Sequence, residues 1–381
     1  MSVKEAKLAR NWKKRDALKQ IPTRDGYGEA LVELGDKRDD VYVLCADLSE
    51  STRSHWFRDK FPERYVTMGV AEQALATVGA GMALAGKTVF IASYAAFSPG
   101  RNWEQIRTTG CLQRTNLKIA GAHAGVSVGP DGATHQMLED IAIMRVLPEM
   151  TVLVPCDAIE TRKATIAAAE MDGPVYVRFA REKTPVFTTE GSPFKVGKAQ
   201  VLRNGNDVAL IGCGPLLYEC LLAAEELAKQ GITARVINNA SVKPMDEATI
   251  IAAAKDCGAI VTVEEAQAAG GMGSAVCEVL CEAGHPCPVE RIGMQDLQHS
   301  GETAIEIGQH PCRKLLLELA DEIRWQRLAT GDPVLQPGQA LADLGVGFEQ
   351  AAQQRRDQHE TRDRVLGQRR DQPLWVLDLL G

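Results

Sequence analysis

Residues 71–93 read AEQALATVGAGMALAGKTVFIAS, and the spacing of apolar side chains changes partway through. Residues 71–84 are rich in Ala and Gly, which predicts a helix lying close against a neighbouring element. After Ala85-Gly86, residues 87–93 form a β-branched, mostly apolar run, as a buried parallel strand requires. The same alternation extends outward on both sides. Residues 41–45 read as a strand, 102–110 as a helix and 116–120 as a strand. A Gly-rich loop follows over 121–132, then a strand at 151–154, a helix at 159–169 and a strand at 175–179. Repeated β-α units of this length predict a parallel, doubly wound sheet, so the fold class is α/β.

A charged, Pro-containing stretch over 181–198 reads as a linker. Beyond it a second α/β pattern begins. It has strands at 208–211, 234–237, 259–263 and 288–292, and helices at 216–230, 246–255, 274–282 and 311–323. From Arg324 the composition shifts: no Lys follows Lys314, and Arg and Gln become abundant. The expected division is a basic helical arm at 1–20, a first domain at 21–186, a linker at 187–205, a second domain at 206–323 and an Arg/Gln-rich extension at 324–381. That extension ends in the apolar Leu374-Trp375-Val376-Leu377, read as a surface extension or as an end that docks on a partner.

Composition narrows the function. The 381 residues are 45% hydrophobic and 24% charged, as in a globular protein with sizeable cores. A formal charge of −7 without a long basic run argues against nucleic acid as a partner. The ten cysteines are scattered through apolar stretches, as buried free thiols are. Cys277, Cys281 and Cys287 lack CxxC spacing, so no metal site is expected in this chain. No apolar run reaches the ~18 residues of a membrane span, and the N-terminal residues lack a signal-peptide core. The expectation is a reduced, cytoplasmic protein without a membrane partner.

Three segments carry chemistry. Met68-Gly69-Val70-Ala71-Glu72-Gln73 places a carboxylate at the start of an apolar helix. Such an acid suits the helix dipole, and it is costly if buried without a partner. Ser93-Tyr94-Ala95-Ala96-Phe97 puts two aromatic rings just past a strand, in a chain only 5% aromatic; they are a stacking platform or core. The stretch from Gly121 to Gln136, GAHAGVSVGPDGATHQ, follows a strand and holds two of seven histidines, His123 and His135, together with Asp131. Ligands of open α/β sheets bind at strand carboxyl ends, and glycines there let backbone approach closely.

Together these segments resemble the transketolase family of thiamine diphosphate enzymes, over residues 20–318. The matching motifs are GVAEQ, SYAAF with RNWEQIR, and AHAGVSVGPDGATHQ with EDIAIMRVLP. The resemblance implies a pyrimidine-binding domain followed by a transketolase C-terminal domain. It implies that Glu72 hydrogen-bonds the cofactor pyrimidine and that Tyr94 and Phe97 pack on the ring. His123, Asp131 and His135 would meet sugar hydroxyls and assist proton transfer, with Glu72, His123 and His135 as the catalytic groups. Arg24, Ser51 and Arg181 would hold an acceptor phosphate. The second domain, where Ala266 stands at a position often held by His, would mainly support assembly.

The family's diphosphate and metal site carries Gly-Asp-Gly, and the nearest string here is Gly35-Asp36-Lys37. The resemblance therefore implies the C-terminal subunit of a split transketolase. An N-terminal subunit carrying Gly-Asp-Gly would bind Mg²⁺ and the diphosphate, in an α2β2 heterotetramer acting on sugars or sugar phosphates. The implied reaction moves a two-carbon ketol unit from a ketose to an aldose. Alternatives are a 1-deoxyxylulose-5-phosphate synthase-like or a 2-oxo acid dehydrogenase E1 β-like subunit. A dehydrogenase reading of Ile211-Gly212-Cys213-Gly214-Pro215 lacks the third glycine. A noncatalytic scaffold would not need Glu72 and both loop histidines.

Overall fold

The computed structural model describes residues 7–294. The helix expected at 311–323 and the extension at 324–381 lie outside the described residues, as do residues 1–6 of the arm. The strands are β1 (Gln20–Pro22), β2 (Val41–Cys45), β3 (Tyr65–Thr67), β4 (Thr88–Tyr94), β5 (Leu117–Ala122), β6 (Thr151–Leu153) and β7 (Val175–Arg178). They continue with β8 (Lys183–Pro185), β9 (Gln200–Arg203), β10 (Val208–Gly212), β11 (Ala234–Asn238), β12 (Ser241–Lys243), β13 (Ile260–Gln267) and β14 (Val289–Met294). The fold is α/β, with two mixed sheets that are parallel except at one edge each.

The larger sheet has seven strands in the order β12-β6-β7-β5-β4-β2-β3. Its central strands β4, β5 and β7 are buried except at Tyr94, the half-buried last residue of β4, which is why they are nearly continuous apolar runs in the sequence. The Thr23–Lys37 and Ala158–Glu170 helices pack together on one face, over a core of Tyr27, Leu31, Phe90, Val177 and Phe179. The Glu72–Leu84 helix covers the other face. Its approach depends on Gly79, where a Cβ would stand 2.7 Å from Cγ2 of Ile91 in β4.

The smaller sheet has the order β14-β13-β10-β11-β9, with only β9 antiparallel. Three features depart from expectation. The region expected to be one helix over 102–110 is a short α-turn, Trp103–Gln105, followed by a π-helical turn, Ile106–Cys111. Residues 7–19 of the expected helical arm carry only the 3₁₀ turn Arg15–Ala17, and Gln20 begins β1; they are tied down by backbone bonds such as Ala9 N–H to the Phe187 carbonyl, 2.8 Å. The stretch read as a linker contributes β8, which pairs antiparallel with β1. A fourth element was not anticipated at all. After β11 the chain leaves the smaller sheet, and β12 pairs antiparallel with β6 on the edge of the larger one.

Candidate active site

Every residue singled out in the sequence lies near the carboxyl ends of the larger sheet's strands or at a helix start beside them. Arg24 is in the first turn of Thr23–Lys37. Ser51 follows β2, Tyr94 ends β4, His123 follows β5 and Arg181 follows β7. This is where an open parallel sheet collects ligand-binding loops.

Glu72 is the first residue of its helix and is buried. Its Oε2 is 3.4 Å from Nη1 of Arg101, and the buried Oε1 has no hydrogen-bond partner among the described residues. The main chain is pinned separately, by Asn102 Nδ2 donating to the Glu72 carbonyl at 2.9 Å. Arg101 also lies over the Phe97 ring, 4.3 Å from its centroid. A buried carboxylate oxygen without a donor is costly, so it fits a ligand that brings an N–H.

The rings form one cluster. Tyr94 and Phe97 are near-parallel with centroids 6.0 Å apart, and His135 meets Phe97 edge-on at 5.3 Å. His123 stacks on Tyr94 at 3.9 Å. Its backbone is left-handed, φ 55°, a conformation that non-glycine residues adopt only with support. Nε2 of His123 is 3.3 Å from Nη1 of Arg24. A guanidinium only donates, so Nε2 must accept and the ring proton sits on Nδ1. That Nδ1 is buried without a partner among the described residues. Burial pushes the His123 imidazole down to about 3, and the neighbouring Arg24 and Arg181 charges push the same way. The ring is therefore neutral at pH 7, with an N–H to offer to a ligand oxygen.

Beside this ring stand three arginines. Arg24 donates to the Ser51 main-chain carbonyl at 3.0 Å, so Ser51 meets it through backbone rather than hydroxyl. Burial and the Arg53 charge lower the pKa of Arg24 from its ordinary value. Arg53 is itself paired with Asp25 at 2.6 Å. Arg181 bonds the Val128 carbonyl at 2.9 Å and pairs with Asp131 at 3.2 Å. Asp131 thus already has a protein partner. Arg53, Arg101 and Gln136 were not anticipated as site residues. Arg53 is brought in by its left-handed turn after the Ser49–Thr52 helix, which nothing in the sequence marks. Gln136 is buried beside His135, with neither amide atom paired among the described residues; its place at the end of the GAHAGVSVGPDGATHQ stretch is the available signal.

Comparison with known proteins gives this arrangement its context. Residues 19–186 match the model for the transketolase pyrimidine binding domain, and residues 197–308 that for the transketolase C-terminal domain. The chain is 44% identical over 276 residues to a putative transketolase C-terminal section of Methanocaldococcus jannaschii, covering 72% of this chain and 86% of that one. It is 38% identical over 292 residues to the 6-deoxy-6-sulfo-D-fructose transketolase subunit SqwH of a Clostridium species, covering 77% and 87%. A solved split-gene transketolase, an inactive β4 tetramer, superposes with a TM-score of 0.73 at 41% identity, over 80% of this chain and 98% of that one. The chain belongs to the transketolase family. Within it, these relatives place the chain among the C-terminal subunits of split enzymes, a family that uses thiamine diphosphate. The residues present fit the pyrimidine half of that cofactor: an orphaned carboxylate oxygen at Glu72 and the Tyr94–Phe97 aromatic platform. Among the described residues no helix is long and apolar enough to cross a membrane.

Proposed function

We propose that this chain is the C-terminal subunit of a thiamine diphosphate-dependent transketolase, moving a two-carbon ketol unit between sugars. The observation that carries the reading is Glu72: a buried carboxyl at a helix start whose Oε1 has no donor among the described residues. Bound cofactor would supply a carbon nucleophile that adds to a sugar carbonyl. Glu72 would hold the pyrimidine and hold a proton at its ring nitrogen, as a positioned acid does. Tyr94 and Phe97 would pack on that ring. His123 would donate its Nδ1–H to a substrate oxygen, and His135 would meet the next one. Arg53 pairs with Asp25, and Arg181 with Asp131 and Glu182, whereas Arg24 has no carboxylate within ion-pair distance among the described residues and keeps a buried Nε without a partner, which favours a sugar with an anionic group. The sulfonated sugar in one relative's name is of that kind. In this reading Mg²⁺ and the diphosphate are held by an N-terminal partner subunit carrying Gly-Asp-Gly, in a heterotetramer.

The test is reconstitution with such a subunit, thiamine diphosphate and Mg²⁺. Ketol transfer is expected from the complex and not from this chain alone. In the complex, Glu72→Gln keeps the shape but cannot share a proton with the pyrimidine. Exchange of the cofactor C2 proton should then fall by about 10²–10⁴-fold. Unaltered exchange in a folded Glu72→Gln complex would refute the assignment.

A further inference from the structure

Strand β13 of the smaller sheet ends in Glu264-Glu265-Ala266-Gln267, and it touches the loop that carries His123, Asp131 and His135 at Ser127, within it, and at Leu138, just past it. Adjacent side chains of a strand point to opposite faces. Glu264 turns into its own domain, where it accepts from the N–H groups of Met272 and Gly273, each at 2.8 Å. Glu265 turns the other way, and its Oε1 accepts the Ser127 N–H at 2.5 Å. Two residues on, the Gln267 N–H donates to the Leu138 carbonyl at 2.8 Å.

The loop is shaped to admit this carboxylate. At Gly125 a Cβ would stand 2.5 Å from Oε1 of Glu265, and the φ of +90° there excludes most other residues. The strand end is itself anchored, since Arg178 Nη2 donates to the Glu265 carbonyl at 2.7 Å. Arg178 in turn is buried against Asp140 at 2.7 Å, and Asp140 also accepts from the Tyr176 hydroxyl at 2.7 Å. His123 lies four residues before Ser127, in the left-handed conformation that needs outside support.

We propose that Glu265 is a positioning residue: by holding the Ser127 amide, the second domain sets where His123 stands against Tyr94, and so sets substrate binding. This gives the second domain a part in the site beyond assembly. The proposal rests on the ketol-transfer reading for its kinetic consequence but not for its structural one. Glu72 sits on a different element, bonded to Arg101 and Asn102 instead of to this loop, so it is outside the reach of Glu265. Burial raises the pKa of the Glu265 carboxyl; an amide oxygen at the same place can also accept the Ser127 N–H, so Gln is a conservative replacement.

Glu265→Ala and Glu265→Gln separate the possibilities. In the reconstituted complex, Glu265→Ala should raise the KM for the donor ketose about tenfold, the scale of one unpaired buried donor. Cofactor C2-proton exchange should stay within about twofold, because Glu72 is untouched. In the full chain alone, hydrogen exchange at the Ser127 amide should quicken about tenfold or more, and the His123 ring protons should lose the shift that stacking on Tyr94 gives them. Glu265→Gln, which still offers an oxygen to Ser127, should restore all of these. The proposal falls if Glu265→Ala leaves Ser127 exchange and the His123 shift unchanged, if C2 exchange drops together with substrate binding, or if Gln does no better than Ala. A complex of unmodified chains that transfers no ketol unit would sink the ketol-transfer reading instead, and the exchange and ring-shift measurements would still judge Glu265.

Discussion

Arg24 decides the chemistry of His123 by having donors only. The imidazole must remain neutral to accept from it, and burial beside three guanidinium groups holds it there. The sign of the pH effect follows. The folded-state value is about 3, against about 6.5 for an unperturbed histidine, so between them the unfolded chain binds the extra proton. The contribution of His123 to stability is fully present above about pH 6.5 and is lost as pH falls toward about 3. His123 ε1 proton shifts should show no inflection between pH 8 and 5, and His123→Gln should lose less stability than the unmodified chain on acidification to pH 5. An inflection near 6.5 would contradict the burial argument. Arg181 has two duties to separate, since it holds the Val128 carbonyl and Asp131 as well as facing the site. Arg181→Ala should raise the KM of an anionic acceptor about ten- to a hundredfold, the worth of a charge-assisted bond. A neutral acceptor should change much less. Equal changes for both would reduce Arg181 to a loop tether. The acid, the rings and the histidines were all legible in the sequence, because each sits in a motif of unusual composition. Arg53 and the Glu265–Ser127 bond were not, because they depend on a turn conformation and on a contact between residues 138 positions apart.

At the scale of elements, legibility tracks burial. Strands β4, β5 and β7 lie within two residues of their sequence boundaries because burial makes them nearly continuous apolar runs. Strands β3, β9 and β12 have no clear sequence signal: each has three or four residues, too few to show a period, and β3 and β9 are partly exposed besides. The π-helical turn over Ile106–Cys111 was read as ordinary helix, since the apolar spacing does not reveal one inserted residue. The Ala158–Glu170 helix shows how a single cap can serve two elements. Asp157 accepts from the Glu160 N–H at 3.0 Å, and also from the Phe187 N–H at 3.0 Å and the Thr188 N–H at 2.7 Å. Asp157→Ala would leave those donors unpaired in a buried place. It should cost at least about 2 kcal/mol, measured as a lower denaturant midpoint with the same slope. A loss below about 0.5 kcal/mol would mean that water replaces the carboxylate there.

At the scale of the molecule, the sequence divides more cleanly than the structure does. Composition suggests two α/β domains joined by a linker, and the two sheets are there. The chain between them is not a tether, however. Part of it forms β8, paired with β1. The second half also sends back β12 to cover one edge of the first sheet, and Glu265 and Gln267 reach the loop beside the histidines.

The returning strand β12 bears on how such a protein can be reshuffled. An uncovered β6 edge would present free N–H and C=O groups, a template for pairing with other chains. A gene cut between residues 187 and 205 would therefore not release two interchangeable modules. Its first product would carry a sticky border, and any graft of a foreign second half would need a matching three-residue ribbon.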